Sequence, residues 1–149
     1  EAVLAGEGGF YAFNDFHAAM AFAGAGREDE TRRLRTALEK AAWDVHANGE
    51  MTRQVGIDVS EGFIAFGNGD YARAAEKLVA VRDIASRFGG SHAQRDVIDQ
   101  TLLAACARGA GRKALGRALL NERILAKPMT PLTRHWSEAM GETTARASV

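Results

Sequence analysis

Two short stretches hold most of the residue types that do chemistry: GGSHAQRD, Gly89 to Asp96, and NDFHAAM, Asn14 to Met20. The first supplies Ser91, His92, Arg95 and Asp96; the second supplies Asp15 and His17. Two imidazoles with two carboxylates are enough to hold a divalent cation, or to act as base and orienter in a hydrolytic site. The spacing argues against a preformed site. Asp15 and His17 are two positions apart, so on a helix they point to different faces. Neither a His-x-x-x-His nor a Glu-x-x-His pair occurs.

GGSHAQRD also has a complete structural reading. Gly89 and Gly90 end one helix, Ser91 is an N-cap, and Gln94 three residues later completes a capping box. His92 is then the first helical residue, where the positive end of the helix dipole favours a neutral ring and attracts anions. His92 and Asp96 are four apart and can share a face. The alternative is a hydrolase, or a metal or anion site, that unites His17 with His92. The remaining candidates are plainer. His46 and His135 read as terminal or surface residues, Trp43 and Trp136 as packing residues, and Cys106 as a small buried hydrophobe among alanines.

These residues need elements to position them, and the elements read as helices. Alanine, leucine, glutamate and arginine abound, and no β-branched residues alternate with polar ones over a useful length. Glycine supplies the punctuation. GAGR occurs at Gly24–Arg27 and again at Gly109–Arg112, with GNGD at Gly67–Asp70 between them. The second glycines, Gly26, Gly69 and Gly111, recur at nearly equal intervals of about forty residues, a period typical of stacked helical hairpins.

The expected helices follow. Gly9–Ala23 carries Phe10, Phe13, His17 and Met20. Asp29 caps a helix with Leu34, Leu38, Ala41, Ala42 and Val45 inside, ended by HANGE. Met51, Val55, Val59, Phe63 and Phe66 mark a third helix. Asp70 caps a fourth, with Ala74, Leu78, Val81 and Ala85 inside, stopped by Gly89–Gly90. Ser91–Ala107 buries Val97, Ile98, Leu102 and Ala105. Arg112–Ala126 buries Leu115, Leu119 and Leu120 and is closed by Pro128, and a short helix around Leu132–Met140 caps the stack. The expectation is an all-α fold in one domain over 1–149. It is an αα-superhelix of about three tetratricopeptide-like hairpins (about 9–47, 50–88 and 91–127) with a tail over 128–149. In EGFIAFGNGDYARAAEKL, Gly62 and Ala74 sit where two helix backbones approach closely, with Tyr71 and Leu78 beside them.

Three stretches together, NDFHAAMAFAGAGR (Asn14–Arg27), FGGSHAQRDVIDQTLL (Phe88–Leu103) and ALLNERILAKPMTPLT (Ala118–Thr133), resemble the carboxy-terminal part of the tetratricopeptide repeat protein 38 family. The resemblance spans about Phe10 to Thr133. It implies an αα-superhelical fold and a soluble protein, with further hairpins upstream. It implies no reaction and carries over no catalytic residue. The start at Glu1, without methionine or a signal-peptide profile, is read as a piece of a longer chain. On that reading the first helix exposes a face normally covered, through which the chain could self-associate.

Bulk composition narrows the partners. The formal net charge is zero, from 19 basic and 19 acidic residues, so there is no basic stripe of the kind that neutralises phosphates, and no nucleic acid is expected. No apolar run reaches the roughly 18 residues of a membrane span. Cys106 is the only cysteine, which rules out an intrachain disulfide and fits a cytoplasmic setting. No cofactor or metal is expected. The leading functional expectation is a scaffold that binds a protein or peptide in a concave groove, by fold-level analogy. Met51, Gln54, Asp58, Glu61, Arg95 and Asp99 are the groove candidates. Gln54, Asp58 and Glu61 recur at i, i+4 and i+7 opposite Val55, Val59 and Phe63, and an acidic wall with Arg53 and Arg95 nearby suits a mixed-charge or basic segment.

Overall fold

The computed structural model describes residues 8–9, 11–126 and 129–141, and all of its regular structure is helical. In chain order the elements are α1 (Ala12–Gly24), α2 (Glu28–Ala41), α3 (Ala47–Met51), a π-helical turn (Thr52–Gly56) and α4 (Ile57–Gly67). There follow α5 (Tyr71–Val81), a 3₁₀ turn (Ala85–Phe88), α6 (His92–Arg108), α7 (Lys113–Ala126) and α8 (Pro131–Ala139).

The three glycine turns have one cause. Gly26, Gly69 and Gly111 have φ of +66°, +78° and +69°, and a Cβ at any of them would meet nothing within 4 Å. Backbone conformation alone requires glycine there. Asp70 caps α5, accepting from the Arg73 N–H at 3.1 Å, and Thr130 caps α8 through the Thr133 N–H at 3.1 Å.

α1 packs on α2 and α4, α4 on α2, α5 and α6, α6 on α5 and α7, and α8 on α6 and α7. The first helices of successive hairpins are thus in contact, α1 with α4 and α4 with α6. α1 and α4 run parallel: Gly56 lies against Ala12 and Gly67 against Ala23, so close that a Cβ would fall 3.0 Å and 2.8 Å from the alanine methyls. Between these contacts the rings of Phe16 and Phe63 stack at 5.7 Å. One hydrophobic core continues from Ala12 and Phe16 through Val59, Leu78 and Leu102 to Leu120 and Met140, and a smaller one joins Phe22, Leu34, Leu38 and Ile64.

Several expected boundaries move. Asp29 is not the cap of α2; Arg27 holds that position without a side-chain cap, and Asp29 lies in the first turn, paired with Arg32 at 2.8 Å. HANGE begins a helix instead of ending one. The reason is tertiary: the Arg53 guanidinium donates to the carbonyls of Ala42 and Asp44, which α2 leaves without partners as it ends. Gly49 then packs against the Asp44 backbone, with no room for a Cβ. From Ala47 to Gly67 the helix is continuous through the π turn. The apolar residues Met51, Val55, Val59 and Phe63 are four apart, a spacing that drifts by roughly 40° per step on an α-helix; the wider turn absorbs part of that drift. α5 stops at Val81, before Gly89, and a 3₁₀ turn bridges the gap. At Gly62 the nearest atoms to an added Cβ belong to the Leu78 side chain of α5, and Ala74 of that helix is wholly buried. Trp43, expected to pack, is 87% exposed. Phe10, Pro128 and the tail from residue 142 lie outside the described residues.

Candidate functional site

The start of α6 folds as the capping box its sequence spells. Ser91 Oγ accepts from the Gln94 N–H at 3.2 Å, and Gln94 Oε1 accepts from the Ser91 N–H at 2.8 Å. Arg95 turns back to donate to the carbonyls of Gly89, at 3.1 Å, and Gly90. His92 is exposed, its Nδ1 3.4 Å from an Arg95 nitrogen. Asp96 is gripped by both arms of Arg123 on α7 at 2.7 and 3.1 Å, and it also accepts from Gln100. The serine and arginine of GGSHAQRD therefore hold the turn, and its aspartate ties α6 to α7.

One turn along α6, Asp99 faces Arg82, which leaves the end of α5. Arg82 contacts Asp99 at 3.4 Å, Glu122 of α7 at 2.7 Å and Asp83 at 3.7 Å. Burial works against the charge of Arg82, but the bond from Glu122 and the fields of Asp99 and Asp83 outweigh it, so the guanidinium is held above its ordinary value. The Asp96 carboxylate does the same for Arg123, against a smaller cost of burial. Between these ion pairs opens a cleft of about 260 Å³ with Leu102, Leu103, Leu119 and Ala126 as its apolar part and Arg82, Asp99, Glu122 and Arg123 as its charged rim. A second hollow shares Arg82 and Asp99 and extends to His92, Arg95 and Asp96. Such a surface offers an apolar side chain a seat and gives flanking polar groups both signs of charge.

The other sequence candidates are placed differently. His17 donates from Nδ1 to the Phe13 carbonyl at 2.8 Å, with its ring against Phe13 and Phe16. Asp15 is buried against the first turn of the chain, where Oδ1 accepts from the Gly9 N–H at 2.9 Å. His17 and His92 thus have separate partners, and among the described residues no three His, Cys, Asp or Glu side chains are arranged to hold a metal ion. The expected polar wall is occupied by ion pairs. Asp58 pairs with Lys77 of α5 at 2.7 Å, and Glu61 pairs with Arg35 of α2 at 2.6 Å and Arg73 of α5 at 3.6 Å. Gln54 bonds Glu50 and Arg87. Asp58 and Glu61 therefore face α5 and α2, whereas Gln54 meets its own helix and the 3₁₀ turn.

Arg82, Glu122 and Arg123 escaped sequence reasoning, yet a signal for them exists. DVSE at Asp58–Glu61 and DVID at Asp96–Asp99 each place two acids three residues apart, one pair on α4 and one on α6. In both, the first acid pairs with the second helix of its own hairpin, to Lys77 or Arg123. The second acid reaches back to the hairpin before, to Arg35 or Arg82. Cys106 is wholly buried, and burial pushes its thiol up to about 11, against a small opposing effect of Arg112, so it is no nucleophile. Among the described residues no helix is long and apolar enough to cross a membrane. No family model matches the chain, and no solved structure matches it.

Proposed function

We propose that this chain is a helical-repeat scaffold of the tetratricopeptide-like kind, related to the tetratricopeptide repeat protein 38 family, and that it binds a protein or peptide partner between its helices. Contacts between the first helices of successive hairpins, and the recurrence of the same ion-pair scheme on α4 and α6, support the repeat reading. The observation that carries the binding reading is the cleft of α5, α6 and α7. Its apolar floor of Leu102, Leu103 and Leu119 is nearly buried, exposed Ala126 lies at its edge, and its rim arginines are held in place by Asp96, Asp99 and Glu122. A rim ordered in advance lowers the entropy lost when a partner docks. The partner segment presents one apolar side chain to Leu119 and Ala126 and charged groups to Arg82 and Glu122.

The test is selection of peptides from a random display library against the intact chain, followed by binding to an Ala126→Arg variant. Ala126 is exposed at the cleft, so a long side chain there obstructs the seat without disturbing the core. Peptides with an apolar residue flanked by charges are expected, with affinity for the variant reduced at least tenfold. Failure to enrich any sequence, or equal binding to the variant, would sink the proposal.

A further inference from the structure

Among the described residues Asp15 is the only buried carboxylate, at 2% exposure. Its two oxygens differ. Oδ1 accepts from the Gly9 N–H at 2.9 Å, whereas Oδ2 is buried with no hydrogen-bond partner. The segment that Oδ1 holds is itself tightly seated. A Cβ on Gly8 would fall 2.6 Å from Leu34 Cδ1, and one on Gly9 would fall 2.9 Å from the Ala37 carbonyl of α2. Asn48 of α3 closes the seat from the other side, donating to the Gly9 carbonyl at 3.0 Å and accepting from the Ala12 N–H at 3.1 Å.

Among the described residues no charged side chain pairs with Asp15. α2 contributes Leu34 and Ala37, which border the same glycine as Oδ1. Thr52, Gly56 and Ser60 belong to the face of the π turn and α4 that meets Ala12, and all three are buried and uncharged. Three charged side chains of these elements are engaged elsewhere: Arg32 pairs with Asp29, Arg35 with Glu61, and Glu50 bonds Gln54. On α1 the nearest titratable groups are Tyr11, exposed at the N-cap, and His17, bonded to the Phe13 carbonyl.

We propose that Asp15 is a proton-dependent latch: with its carboxyl protonated the Gly8–Gly9 segment stays seated between α1, α2 and α3, and ionisation releases it. An ionised Oδ2, buried and without a hydrogen-bond partner among the described residues, is costly to keep from water, and lifting of the segment admits water to it. Burial moves the carboxyl above its ordinary value, the N–H groups of Gly9 and Tyr11 acting in the opposite direction. For an acid raised in this way the seated state binds the extra proton. Its stabilisation is complete below the ordinary carboxylate value and disappears as pH rises through the raised one. The latch is independent of partner binding.

The experiment uses the intact chain, with the Asp15 carboxyl ¹³C shift and the exchange protection of the Gly9 and Ala12 amides followed from pH 4 to 8. Protection is corrected for the base-catalysed intrinsic rate. We expect it to fall roughly tenfold per pH unit up to the Asp15 midpoint and to level off above it. An Asp15→Asn variant should show no such dependence. A midpoint at the ordinary aspartate value, pH-independent protection, or the same fall in the variant would overturn the latch. Should the variant not fold, the wild-type data decide: coincident midpoints support the latch and separate midpoints refute it.

Discussion

Asn48 accepts from the Ala12 N–H at 3.1 Å and, with the other end of the same amide, donates to the Gly9 carbonyl at 3.0 Å. α1 has no side-chain cap of its own from Tyr11; a residue of α3 performs that task from across the fold. Asn48→Ala therefore removes a cap and a tertiary clamp together. The expected loss is about 1–3 kcal/mol, read as a lower midpoint in urea unfolding. Asn48→Asp keeps the acceptor for Ala12 but loses the donor to Gly9, and should fall between the two.

Gly62 and Gly49 separate two kinds of close approach. At Gly62 an added methyl meets Leu78 Cδ2 at 2.5 Å, the end of a side chain. Gly62→Ala should cost about 1–3 kcal/mol, and trimming Leu78 to Val in the same chain should recover part of it, a coupling that a double-mutant cycle measures. At Gly49 the obstacle is the backbone of Asp44 and Ala41, which cannot rotate away. Gly49→Ala should be the more damaging of the two, with no side-chain substitution to rescue it.

Cys106 should be silent in the folded chain. With its thiol at about 11 and no exposure, roughly one molecule in a thousand carries a thiolate at pH 8. A thiol reagent at that pH should leave native protein unmodified for hours and label one equivalent on addition of guanidinium. Fast labelling of the native chain would contradict the burial described above.

The two tryptophans should report differently on unfolding. Trp136 is half-buried and donates from Nε1 to Gln100 at 2.7 Å, whereas Trp43 stands in solvent. Acrylamide should quench Trp43 readily in the native state. Trp43→Phe should leave the fluorescence change on unfolding nearly intact, and Trp136→Phe should remove most of it.

The elements that depend on local chemistry were legible in the sequence. The three glycine turns, the Asp70 cap and the Ser91–Gln94 capping box involve residues at most a few positions apart, so their types and spacing suffice. The apolar stripes through Val59, Leu78 and Leu102 likewise marked the helices and their inward faces. Where the reading slipped, a distant partner was involved. HANGE looked like a terminator because Asn and Gly stop helices in isolation, but Asn48 is engaged by Gly9 and Ala12 and Gly49 by the Asp44 backbone. Trp43 looked like a core residue because its type is usually buried, and its neighbours in sequence say nothing of what covers it.

From its amino-acid order alone this chain is determined to be helical and punctuated at a period of about forty residues, because backbone preference and capping act over a few neighbouring positions. Which charges meet is decided only by the tertiary structure. Arg82 joins Asp99 and Glu122, Arg123 takes Asp96, and His17 and His92 bond within separate helices. An ion pair depends on distance in space, and spacing along a helix names a face without naming what packs against it.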